Sequence, residues 1–159
     1  MKKYSLIFIF GHKAYRNDQI LLVSKKEGLK KGLWNGLGKQ TDAPERSVIN
    51  LLVELQISIS KCTISKAAVL AYPHAQVYIY SVFLNYDLVK IVNRLDNVNN
   101  YWIADTKMIP KRAFIGKEGY SIDLAYLIPL AMDPDINTTI IIKDHPQEKI
   151  TEAIQKIIL

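Results

Sequence analysis

A single cysteine, Cys62, stands in a chain of 159 residues. That excludes an internal disulfide framework and leaves no thiolate spacing for a metal. Histidine is nearly as sparse, and His12, His74 and His145 form no cluster. No apolar run approaches the roughly 20 residues that a membrane-spanning helix needs. Acid is in deficit as well: 15 Asp and Glu face 21 Lys and Arg, for a net charge of +6. An excess of that sign favours an anionic partner, but nucleotide, nucleic acid and acidic protein fit it equally, and so does a solvated basic surface with no ligand. Internal repeats, linkers and low-complexity tracts are also missing. What remains is an ordinary globular composition, 49% hydrophobic and 23% charged, long enough for one domain, 1–159, with a buried core. The cysteine usage fits a reducing cytoplasm.

Met1-Lys2-Lys3 followed by Ser5-Leu6-Ile7-Phe8-Ile9-Phe10 faintly resembles a secretory leader. The apolar run is short, no small-residue cleavage site follows, and Gly11-His12-Lys13 closes it, so it reads as a buried strand. Further β-prone runs fall at 19–24, 64–72 and 76–85, the last with apolar side chains on both alternating faces, as in a strand covered on both sides. Short strands are expected at 101–104 and 138–143, and the Asn-rich stretch 86–100 reads as a loop. Asp105 is expected to cap a helical turn ending before Pro110. Helices are expected at 43–56, at 119–128 with Pro129 near its end, and from Asp144 onward, where Ile150, Ala153, Ile154, Ile157 and Ile158 form one stripe. Asp42-Ala43-Pro44-Glu45 marks the start of the first helix, with Asp42 as N-cap and Glu45 as its capping-box partner. Strands dominate, with a few helices packed on them: an α/β or α+β sandwich, a mixed β-sheet between helices.

The segment between the second strand and the first helix carries the chemistry. Lys25–Leu33 is a loop with four lysines and two glycines, and Trp34-Asn35-Gly36-Leu37-Gly38-Lys39 leads into the capped helix. From Leu21 to Lys39 the chain resembles the Nudix hydrolases, and among them the MutT-like diphosphatases of oxidised purine nucleoside triphosphates. The likeness extends weakly through Tyr101-Trp102 and Pro110 to Tyr126, with 135–159 a strand-plus-helix extension beyond it. It implies a Nudix-like sandwich, pyrophosphate hydrolysis, Mg²⁺ or Mn²⁺ as cofactor, and a nucleoside diphosphate derivative as ligand.

The family signature reads G-x5-E-x7-R-E-U-x-E-E-x-G-U, where U is a bulky aliphatic. Anchored on Gly36, its first Glu falls on Asp42, its Arg on Asn50 and its next Glu on Leu51. The closing Glu pair falls on Glu54 and Leu55, and the last Gly on Ile57. Three helical carboxylates on one face would hold divalent metal, which activates water and neutralises the diphosphate. Here only Glu54 remains, beside an apolar stripe of Val48, Leu51, Leu52 and Leu55. Asp42 and Glu45 are the other acids near enough to be candidates, though the capping box also accounts for both. A further acid of the family would fall near Asn97, next to Asp96.

On the ligand side the resemblance carries Lys25 to a phosphate or base contact and Asn35 to the base edge, where an amide can both donate and accept. Gly36, Gly38 and Lys39 line the turn beside it, and Glu118 stands where the family's oxidised-purine readers place an acid. Trp34 reads as core, and Lys30 and Lys31 as solvated. Three functions stay open. One is a Nudix-fold relative of the diphosphatases with weak or no Mg²⁺-dependent hydrolysis. Another is an active hydrolase of a nucleoside diphosphate linked to some moiety X, with a relocated metal site. The last is a non-catalytic module that binds a nucleotide, a protein partner or a second copy of itself. No membrane association and no nucleic-acid motif are expected.

Overall fold

The computed structural model describes residues 1–26, 33–95, 99–114, 119–120, 123–133 and 138–141. Expectations for 27–32, for Asp96, Asn97 and Glu118, and for the helix after Asp144 lie outside them. Seven strands form one mixed sheet: β1 (Lys2–Gly11), β2 (Gln19–Lys25), β3 (Leu37–Gln40), β4 (Cys62–Tyr72), β5 (Ala75–Leu84), β6 (Asn99–Asp105) and β7 (Thr138–Ile141). The order is β6-β2-β1-β5-β4-β7, and β3 pairs with β1 as well. β1 runs parallel to β5 over nine residue pairs, from Lys2 with Ala75 to Phe10 with Phe83. These two strands are central, which explains why their sequences are apolar on both faces.

Strand alternation divides the core into two layers. Leu6, Phe8, Phe10, Ile20, Leu22, Val77 and Ile79 face one side, where they meet α2 (Ile109–Phe114) and α3 (Leu124–Met132). Ile7, Ile9, Leu21 and Val82 face the other, where α1 (Pro44–Glu54) lies. Helices therefore cover both faces of a mixed sheet, as expected from the sequence.

Three local expectations are corrected. The first concerns the start of α1, where Ala43, not Asp42, is the N-cap, no side chain caps the helix, and Pro44 opens the first turn. Thr41 Oγ1 accepts the Ala43 N–H at 3.1 Å, a local turn ahead of the helix that leaves its first-turn N–H groups uncapped. The capping box of Asp42 and Glu45 therefore does not form. The second concerns Asp105. Its carboxylate does accept the Lys107 N–H at 2.8 Å, but the helix then begins at Ile109 and runs through Pro110. A proline in a first helical turn costs nothing, because its missing N–H would be unpaired there anyway. Finally, the helix expected at 119–128 is α3, with Pro129 inside it. Ser81 of β5, fully buried, donates to the Ala131 carbonyl at the end of that helix, which ties α3 to the sheet. The stretch 86–100 also contains short 3₁₀ turns at Leu88–Lys90 and Val92–Arg94, pinned by buried Leu88 and Ile91.

α1 ends in a tight turn. Gln56 takes a left-handed conformation, φ 55°. The Ile57 N–H bonds back to the Leu52 carbonyl at 2.9 Å, and the Gln56 N–H to Val53 at 3.1 Å. This is the double bond pattern of a Schellman cap, whose left-handed position usually holds glycine. An L-residue there carries about 1 kcal/mol of strain. Gln56→Gly is therefore expected to raise unfolding free energy by about 0.5–1 kcal/mol. Urea denaturation tests this, and a loss of stability would mean that the Gln56 side chain makes a contact worth more than the strain.

Candidate functional site

The segment 34–39 threads between three strands. Asn35 pairs with Val23 of β2, its N–H donating to the Val23 carbonyl at 3.0 Å and its carbonyl accepting the Val23 N–H at 2.8 Å. Two residues later Leu37 pairs with Ile7 of β1. Gly36 carries the chain from one strand to the other, and a Cβ there would lie 2.9 Å from both the Ile7 carbonyl oxygen and the Phe8 ring. Only glycine fits that passage without moving β1.

Beyond the crossing, Gly38 and Lys39 form one wall of a small cleft of about 110 Å³. The opposite wall is α1, through Ser47, Asn50, Leu51 and Glu54. The helix is fixed against β1 by Val48, Leu52 and Leu55, all buried. A buried hydroxyl pair, Ser5 with Ser47 at 2.9 Å, sets its register. The cleft thus joins Gly38, Lys39 and Glu54 from the sequence-based candidates. Asp42 is exposed and lines none of the described clefts; Glu45 faces a separate cleft at the start of α1.

A resident divalent cation does not fit this donor set. Magnesium takes six oxygen ligands in near-octahedral geometry. Glu54 is the one carboxylate on the cleft, Lys39 adds a like charge to any cation, and Ser47 already bonds Ser5. Among the described residues no group of three His, Cys, Asp or Glu side chains could hold a metal. The two leucines that replace signature carboxylates are not equivalent. Leu55 is 4% exposed and packs in the α1 core layer, whereas Leu51 is half-buried and lines the cleft. The apolar stripe is therefore mostly filler between helix and sheet.

On the α2/α3 side of the sheet the same segment meets an aromatic cluster. The rings of Trp34 and Trp102 meet edge to face with centroids 5.7 Å apart, and Trp102 and Tyr120 are also 5.7 Å apart. Trp102 pairs with Leu22, and alternation puts Ser24 on Leu22's side of β2. Ser24 Oγ is buried and makes no hydrogen bond among the described residues. A buried hydroxyl without a partner costs about 1–3 kcal/mol. Asn35 is fully buried, and its side-chain oxygen accepts the Gly36 N–H at 2.8 Å, so at least half of the amide shapes the turn. Lys25 ends β2, its backbone paired with Asn99. Trp102, Tyr120 and Ser24 escaped sequence reasoning because they converge from distant segments. The only local signal was one serine closing the apolar run Leu21-Leu22-Val23.

The fold matches solved Nudix structures at low identity. The Shewanella oneidensis NrtR complexed with a 27mer DNA superposes with TM-score 0.58 at 14% identity, covering 80% of this chain. This chain spans 59% of that protein's length. The NUDIX domain of the same protein, complexed with ADP ribose, gives TM-score 0.53 at 15% identity over 82% of this chain and 85% of that one. A mutT/nudix family protein from Listeria innocua gives 0.58 at 11% identity over 97% and 96%. The sequence matches no family model and no curated protein. The likeness is one of fold: the chain has a Nudix-like architecture.

The difference between the two leucines can be measured. Leu51→Glu should cost less than about 1 kcal/mol of stability, because the new carboxylate reaches the cleft. Leu55→Glu should cost about 3 kcal/mol or more, because it buries an unpaired charge. Leu51→Glu should also bind Mg²⁺ more tightly than the parent, measured by calorimetry. Equal destabilisation by both variants would contradict the packing described.

Proposed function

We propose that this chain is a Nudix-fold binding domain for a nucleoside diphosphate derivative of the ADP-ribose kind, with little or no metal-dependent hydrolysis. The observation that carries this is the single carboxylate, Glu54, in a cleft whose other walls are Lys39, Asn50 and half-buried Leu51. Hydrolysis of a diphosphate needs metal-activated water and neutralisation of the phosphate charge, each worth several kcal/mol on the barrier. Neither is supported by one carboxylate beside an ammonium. Binding makes smaller demands. A cationic lysine at the rim of the cleft suits a diphosphate without any metal.

The ADP-ribose complex of the NrtR NUDIX domain supports the ligand class. Lys39 supplies the phosphate contact in the cleft beside α1, whereas Trp34, Trp102 and Tyr120 form an aromatic surface on the other face of the sheet, apart from that cleft. Lys25 and Glu118 are retained as candidates from the sequence resemblance alone. A cytoplasmic setting is proposed on the same footing; among the described residues no helix is long and apolar enough to cross a membrane.

Turnover is the direct test. Phosphate release from ADP ribose and from canonical and oxidised nucleoside triphosphates, with Mg²⁺ or Mn²⁺ present, should be at background, and Glu54→Gln should change it little. Robust release abolished by Glu54→Gln would overturn the binding-domain reading and restore the hydrolase with a relocated metal site.

A further inference from the structure

A second cleft, of about 400 Å³, opens where α1 begins. It is lined by Ala43, Pro44, Glu45 and Arg46 of the helix start and by Lys66, Tyr78 and Tyr80 of β4 and β5. None of these residues lines the cleft beside Glu54. Lys66 and Tyr80 are direct partners in the β4–β5 ladder, so their side chains leave the sheet on the same face.

Two independent features make this cleft a site for an anion. One is the helix start itself. No side chain caps it, and Pro44 contributes no N–H, so the first-turn N–H groups of Glu45 and Arg46 are left to whatever enters the cleft. The helix dipole adds partial positive charge there. The other feature is Tyr80, whose side chain lines the cleft although the residue is only 4% exposed. Its phenol makes no hydrogen bond among the described residues. The ring is held in the core while the hydroxyl opens on the cleft, where it is free to donate to a ligand.

We propose that the cleft binds a phosphate group, held by the Glu45 and Arg46 N–H groups, the Tyr80 hydroxyl and the ammonium of Lys66. Burial, and then the nearby Glu45 carboxylate, push the Tyr80 phenol up to about 12, so it remains a donor at neutral pH. Tyr78 is already engaged, its hydroxyl donating to Gln76 at 2.9 Å, and it serves as wall. The charges on the cleft are two cations, Arg46 and Lys66, against one carboxylate, Glu45. Glu45 thus weakens the site and sets how tightly it holds its ligand. The proposal is independent of the nucleotide reading of the other cleft.

Amide NMR on the whole chain tests it, with inorganic phosphate in one arm and AMP in the other. Phosphate should shift the Glu45 and Arg46 amides in a saturable way. Tyr80→Phe, which keeps the ring in the core, should weaken that binding about tenfold. Lys66→Ala should weaken it several-fold, and Glu45→Gln should tighten it. AMP moving the same amides at lower concentration than phosphate identifies a phosphate carried on a nucleotide; a response to phosphate alone identifies the free ion. No saturable shift at Glu45 and Arg46 in either arm, or a shift unaltered by both Tyr80→Phe and Lys66→Ala, would overturn the proposal. Neither result bears on ADP-ribose binding, because the two clefts share no residue.

Discussion

The seating of α1 on β1 constrains everything else in this molecule. Val48, Leu52 and Leu55 fill the layer above Ile7 and Ile9, and the hydroxyls of Ser5 and Ser47 meet at 2.9 Å between helix and strand. The inward positions of the helix face are committed to that packing, and carboxylates can stand only at its margin. With 3.6 residues per turn, positions 51, 54 and 55 share a side, and whichever of them turns inward must be apolar. Leu55 turns inward, Leu51 sits at the margin, and Glu54 stays in water. Among the described residues no cluster of acids could hold a cation, and of the two leucines only Leu55 is committed to the core.

The segment from Trp34 to Lys39 gives the fold its second constraint. It pairs first with β2 and then with β1, and Gly36 passes so close to Ile7 and Phe8 that no side chain fits. One short stretch thereby places a tryptophan on the α2/α3 side of the sheet and, where the sequence suggested a turn, runs Gly38 and Lys39 as strand β3 along the cleft beside α1.

Much of this was legible from sequence because the strong signals are local. The alternation and length of 76–85 announced a strand buried on both faces, and β5 is one. Trp34-Asn35-Gly36 followed by a proline-started helix pointed to the turn and to α1. What misled was equally local. Asp42 and Glu45 have capping-box spacing, but the helix starts one residue later, with Ala43 as N-cap and no side chain capping it. Pro129, expected near the end of the 119–128 helix, lies inside α3, which runs on to Met132, where Ser81 bonds its last turn. The unread part consists of convergences: Trp34 with Trp102 and Tyr120, and Tyr80 with Lys66 and the start of α1. Residues separated by tens of positions carry no shared periodicity, so only the strand register brings them together.

If the domain binds a nucleotide derivative as proposed, its own side chains must hold the ligand without a bridging metal. Calorimetric titration with ADP ribose, once in excess Mg²⁺ and once in excess chelator, tests it most directly. The account predicts the same dissociation constant in both conditions within about twofold, since a shared carboxylate–metal–phosphate bridge would add several kcal/mol when present. Binding seen only with Mg²⁺, or tightened a hundredfold by it, would contradict the account and mean that the chain assembles a metal site after all.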